Sequence, residues 1–235
     1  MNPPKVVLPG DLIHHPITST ISTLTLGPGL RQIPTNPTLS KDPSSKVPRS
    51  AVTRAGLLGS QTTQRPSPAQ RQWVEGNGKR YVPALGEPVI GIIISRQADG
   101  YKVDIGSSLT ARLDAFAFES ATKRSKPNLK VGTVVYGRIS LALPFIEPEL
   151  ECVDPTTMKA NGFGEMSGGY LIRDLDLRHS RSLLSPPQAL LAKLGQQIPY
   201  EISIGLNGRI WLKSNSITHT IYLVNQITQS LSSSS

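Results

Sequence analysis

Residues 87–113 read EPVIGIIISRQADGYKVDIGSSLTARL, three β-rich runs broken by QADG and GSS. Short polar turns of this composition between β-branched runs read as hairpins, so the stretch predicts a three-strand meander. A polar, basic interruption follows at 119–130 (ESATKRSKPNLK). Two more runs come next, VGTVVYGRISLAL from Val131 and PELECV from Pro148, each with apolar residues at alternate positions.

Alternation assigns the faces. Tyr101, Val103 and Ile105 point one way, with Leu109, Ala111 and Leu113, while Lys102, Asp104 and Arg112 point the other. One side is core and the other is wet. Five strands with a long connection between the third and the fourth suit a small closed barrel of the OB type, a fold that commonly binds oligonucleotides.

Working outward towards the carboxyl end, GYLIRDLD reads as a strand. LRHSRSLLSPPQALLAKLGQQ reads as two short helices around Pro186-Pro187, with Ser185-Pro186 a plausible helix start. YEISIGLNGRIWLK is a hairpin, and Ile217, Ile221, Val224 and Leu231 recur at helical spacing. Strand, helix, helix, strand, strand, helix is the order of a KH domain.

Towards the amino end, residues 6–33 hold short apolar runs cut by PGD, HHP and LGPG, which predict a minor β module. A Pro/Ser-rich, basic insertion near 34–54 is too polar to be ordered by burial and is expected to be a disordered loop. RQWVEGNGKRYVP, 71–83, reads as strand, turn, strand, with Asn77-Gly78 in the tight turn. The expected fold is mainly β with an α+β carboxyl-terminal part: an amino-terminal β domain at 1–83, an OB-type barrel at 84–153 and a KH domain at 154–235.

VIGIIISRQADGYKVDI, RLDAFAF, KVGTVVYGRIS and ELECVDPTTMKANGFGEM, in this order, resemble the S1 domain of the cap subunits of the RNA exosome. LPGD and LTLGPGL upstream and IGLNGRIWLK downstream extend the likeness to the rRNA-processing S1/KH cap subunits, over nearly the whole chain except about 36–54. The resemblance implies an S1 barrel and a subunit without nuclease activity. As partners it implies single-stranded RNA, RNase PH-like ring subunits, other cap subunits and associated exonucleases. It also implies residence in nucleus, nucleolus and cytoplasm, and an amino-terminal module that grips the ring.

Bulk properties agree. Lys and Arg outnumber Asp and Glu 25 to 16, for a formal charge of +9, which favours a polyanionic partner such as nucleic acid. No apolar run approaches membrane-spanning length, so no membrane partner is expected. The first residues lack the pattern of a secretory signal, and an intracellular location is expected. The one cysteine, Cys152, falls on an inward position of the last barrel strand and reads as buried filler.

Motifs that suggest other chemistry are incomplete. GFGEMSGG has Ser167 where a dinucleotide fingerprint needs its last glycine, and a strand follows instead of a helix. His14, His15, His179 and His219 sit in separate elements without metal-ligand spacing, so neither a metal nor another cofactor is expected. Glu147, Glu149 and Glu151 alternate along one strand and read as a solvated rim on an exposed edge. Asp174 and Asp176, sharing a strand face, are too few for a two-metal phosphodiesterase.

The positive signal is cationic. Lys123, Arg124 and Lys126 lie in the loop between the third and fourth barrel strands, with Lys130 just after, and with Lys102 and Arg112 on the wet face they are the expected RNA-binding residues. Tyr101, Phe116 and Phe118 are either stacking platforms or core, with core expected for at least two. Gly205, Asn207 and Gly208 form a structural turn in the KH hairpin; Ser185–Gln188, at the place of the KH phosphate clamp, has no glycine. The KH module is therefore expected to be a packing element. A free-standing S1/KH factor of translation or rRNA maturation is the alternative to a ring-bound cap subunit.

Overall fold

A computed structural model of the chain describes residues 5–14, 23–33, 49–63, 69–76, 78, 80–122, 125–184 and 189–232. They fall into two compact units, Met1–Asn77 and Gly78–Ser235.

The first unit contains β1 (Val6–Val7), β2 (Leu12–His14), β3 (Thr23–Leu26), β4 (Leu30–Ile33), β5 (Arg49–Val52), β6 (Gly56–Thr63) and β7 (Ala69–Glu75). They form two small sheets, ordered β1-β6-β7-β3 and β2-β5-β4. Val7, Ile13, Val52 and Val74 are the core, with Leu30 and Leu58 packed against it.

Two expectations change here. The tail of the 34–54 insertion is a strand, β5, paired on both sides by β2 and β4. Residues 34–48 lie outside the described residues. RSAV carries little strand propensity of its own; two neighbours supply its ladder and Val52 its buried side chain. The expected hairpin at 71–83 is also replaced, because β7 pairs antiparallel with the preceding β6 and, among the described residues, no strand follows it before β8. Tyr81 is instead buried in the barrel core and donates to Glu87 Oε2 at 2.6 Å.

The second unit opens with β8 (Pro88–Arg96), β9 (Gly100–Asp104), β10 (Ala111–Phe118), β11 (Val134–Leu141) and β12 (Glu149–Cys152), followed by β13 (Gly164–Met166). The sheet runs β12-β10-β9-β8-β11-β13, and a further β12–β11 pairing closes five strands into a barrel. β12 runs parallel to β10 and antiparallel to β11, which is the OB closure. Glu149 and Glu151 therefore stand on a strand paired at both sides, a correction to the exposed edge expected from sequence.

The predicted alternation holds where the ladder is regular: Tyr101, Val103, Ile105, Ala111 and Leu113 are buried. Leu109 is not, being 41% exposed, because residues 106–109 bend before β10 begins and strand period does not extend through them. Cys152 is buried among the barrel side chains, and burial, with the neighbouring Glu151 charge, pushes its thiol up to about 12.

Then come β14 (Tyr170–Ile172), α1 (Leu177–Leu184), α2 (Ala189–Gln197), β15 (Tyr200–Gly205), β16 (Arg209–Ser214) and α3 (Ile217–Ser232), the KH order. The sheet order is β14-β16-β15. Ile210, Leu212, Leu223 and Ile227 are fully buried in its core. Asp174 and Asp176 fall after β14 rather than on it, and Asp174 has a φ of 61°, so the shared strand face expected for them does not exist. Among the described residues, no helix is long and apolar enough to cross a membrane.

Candidate nucleic-acid interface

The wet face of the barrel is built by register. Lys102 on β9 lies opposite Arg112 on β10, and Arg112 lies opposite Glu149 on β12. Lys102 Nζ donates to Glu147 Oε1 at 3.3 Å, which offsets part of its charge. Arg112 and Lys126 are exposed, and among the described residues no ion pair holds either. Phe116, two pleats beyond Arg112, is 46% exposed, with Lys126 Nζ 4.6 Å from its ring centroid. Cation and ring thus present charge and a π face at one spot, which suits a phosphate and a stacked base.

The loop that carries Lys126 is held in place. Thr122 and Ser125 exchange backbone hydrogen bonds, each 3.1 Å long. Lys123 and Arg124, the two expected RNA contacts between them, lie outside the described residues. Beyond Lys126, buried Tyr101 ties the loop down: its hydroxyl donates to Pro127 O and accepts from the Leu129 N–H at 3.3 Å. Leu129 itself is buried in the barrel core. Of the three aromatic residues, Tyr101 is core, Phe118 packs against core and Phe116 alone is exposed.

Between this loop and the β8–β9 turn lies a cleft of about 230 Å³ lined by Arg96, Gln97, Tyr101, Lys126 and Asn128, among others. Arg96 was not singled out from sequence, although its place at the end of β8, beside a polar hairpin turn, was the available signal. Lys130 is exposed farther along the loop.

The second cluster is the β15–β16 hairpin, Gly205–Gly208. Asn207 is buried, and its amide spans a gap at the end of the β8–β9 ladder: Oδ1 accepts the Ile90 N–H at 3.2 Å, and Nδ2 donates to Ile90 O at 2.8 Å and Ile105 O at 2.9 Å. Leu206 N–H donates to Pro88 O at 2.9 Å. Gly205 admits no side chain, because a Cβ there would lie 2.3 Å from Asn207 Oδ1 and 2.8 Å from the Ile90 nitrogen. Arg209 is buried and donates to Asp104 O at 2.6 Å and Asp104 Oδ2 at 2.5 Å, so it has no surface to offer RNA. Burial alone would raise the Asp104 carboxyl, but the Gly106 N–H and the Arg209 guanidinium bring it below its ordinary value.

The remaining candidates stay apart. Arg138 binds Glu151 through Nε at 2.9 Å and through Nη2, which commits Glu151 to an ion pair. His14 and His219 are exposed, His179 is half-buried, and His15 lies outside the described residues, as does Ser185–Gln188. Among the described residues, no three His, Cys, Asp or Glu side chains gather as a metal site.

Three family models match the chain in succession. Residues 24–80 match "Exosome complex exonuclease Rrp40 N-terminal domain", 81–164 match "Exosome complex component RRP40, S1 domain" and 169–218 match "KH domain". The chain is 44% identical over 219 residues to the exosome complex component rrp40 of Schizosaccharomyces pombe, covering 93% of this chain and 85% of that protein. It is 35% identical over 222 residues to the human exosome complex component RRP40, covering 92% and 76%. A crystal structure of a putative exosome complex RNA-binding protein aligns with 64% of this chain and 96% of its own, at TM-score 0.50 and 20% identity, a likeness of fold.

Proposed function

The chain belongs to the RRP40 family of exosome complex components, and from that premise we propose that it is a non-catalytic, RNA-binding cap subunit. Its barrel lends positive charge and one exposed ring to a single strand of RNA entering the complex for 3′–5′ processing and decay, rRNA maturation included. Its amino-terminal and KH modules serve as scaffold, against RNase PH-like ring subunits and neighbouring cap subunits. Associated exonucleases cut the RNA, and the compartments are those of the complex: nucleus, nucleolus and cytoplasm.

The observation that carries this reading is the succession of an Rrp40 amino-terminal domain, an S1 domain and a KH domain along one chain. A free-standing S1/KH factor has no need of the first of these. One model's description includes the word exonuclease. Against a nuclease in this chain stand Asp174 and Asp176, which share no face, and Glu151, which is held by Arg138. We further propose three modules: an amino-terminal one that ends before Tyr81, an S1 barrel that runs from there through β13, and a KH domain that begins at β14.

Affinity purification should recover the chain in stoichiometric company with RNase PH-like proteins. In the assembled complex, Lys123→Glu, Arg124→Glu and Lys126→Glu together should weaken RNA binding and lower the salt slope by about 2, at roughly 0.7 for each phosphate no longer neutralised. An unchanged slope counts against the loop. Tight RNA binding by the isolated chain without partners would favour the free-standing factor.

A further inference from the structure

The KH module carries a concavity of its own, away in sequence from Ser185–Gln188. It is a cavity of about 440 Å³ between β14, the end of β16 and the exposed side of α3, lined by Tyr170, Lys213, Asn215, Ile221, Val224 and Asn225, among others. Tyr170 and Ile221 are each 55% exposed there, so a ring and an aliphatic branch face solvent across the cleft. Asn215 and Asn225 are both exposed carboxamides at its rim. Among the described residues that line it, Lys213 is the one charged side chain and none is a carboxylate.

The floor is held open by backbone. Gly169 has a φ of 72°, and a Cβ there would lie 2.6 Å from Leu212 O and 3.0 Å from the Lys213 Cβ, so a side chain would push the cavity's floor away from β16. Gly168 O accepts from Trp211 Nε1 at 2.9 Å, which fixes the turn that leads into Tyr170.

Resting on the reading of the chain as an RNA-binding subunit, we propose that this cavity holds one nucleotide of single-stranded RNA. The base stacks on Tyr170 against Ile221, Asn215 and Asn225 take hydrogen bonds from its edge, and Lys213 meets the phosphate. A planar aromatic ligand with a negative charge is what this lining complements: a π face, an apolar wall, two groups that each donate and accept, and a lone cation. A carboxamide pair can read the donors and acceptors of a base edge. The KH module then contacts RNA without a glycine clamp, at a place separate from the barrel's basic loop.

The test uses the full chain in its complex, with a 4-thiouridine-substituted single-stranded oligoribonucleotide as probe. Crosslinks mapped to Tyr170 or α3 are expected. Tyr170→Ala and, separately, Lys213→Glu should each weaken binding about fivefold or more, the range of one stacked base removed, while Tyr170→Phe binds as the parent does. Circular dichroism of the variants distinguishes weakened binding at an intact fold from unfolding; Lys213→Glu, at a half-buried side chain outside the core, keeps the test alive if Tyr170→Ala does not fold. Crosslinks confined to the barrel, with both variants binding normally, overturn this site and leave the RNA-binding subunit intact. Crosslinks nowhere on the chain overturn both. A partner protein crosslinked in the cavity, in place of RNA, overturns the site alone.

Discussion

Asp104 faces two ways: its backbone lies at the end of β9 and its carboxylate receives Arg209 from β16. Because its folded carboxyl lies below the ordinary value, the unfolded chain takes up the proton more readily. The stability it contributes is therefore complete above the unfolded pKa, near 4, and is lost as pH falls through the folded one. Wild type should exceed Asp104→Asn in urea-unfolding stability at pH 7, and the gap should shrink as pH is lowered past about 4. A gap that stays constant with pH would mean that the ion pair contributes nothing. Strand alternation put Asp104 on the wet face correctly, but its partner lies 105 positions away, and no local pattern shows that.

At the scale of elements, the β15–β16 turn acts as a bolt into the barrel. Asn207→Ala removes three hydrogen bonds and leaves the Ile90 N–H and the Ile105 carbonyl buried without them, for an expected loss of about 1–3 kcal/mol in unfolding experiments. Gly205→Ala should cost at least as much, since its Cβ meets fixed atoms on both sides. Stabilities equal to wild type would show the hairpin to be loosely seated. The five barrel strands and the KH order were legible because alternation and helical spacing are local. Asn207-Gly208 was legible as a turn, for the same reason. That its amide completes another module's ladder was not, because burial of a carboxamide depends on what lies opposite it. β5 was missed because neighbours make it a strand, and the 71–83 hairpin was over-read because Tyr81 belongs to the barrel core.

For the molecule as a whole, composition pointed to a polyanion and strand pattern to an OB barrel, yet neither separates the basic loop from the cavity beside α3. That cavity draws on β14, β16 and α3, so only folding assembles it. The joint between barrel and KH sheet also has a global effect. Leu177 of α1 is part of the barrel core, and its N–H donates to Gly78 O at 3.0 Å. Barrel and KH module should therefore open together: amides of Leu113 and Val135 on one side and Leu212 on the other should share one exchange free energy at low denaturant. Two well-separated values would show independent halves.

The Ile90–Asn207 bonds span 117 positions. During synthesis β8 leaves the ribosome long before the amide that completes it exists, so the nascent barrel must wait with a raw end until Asn207 has emerged. A chain that ended between those two positions would keep that end unpaired, with the Ile90 amide left to water.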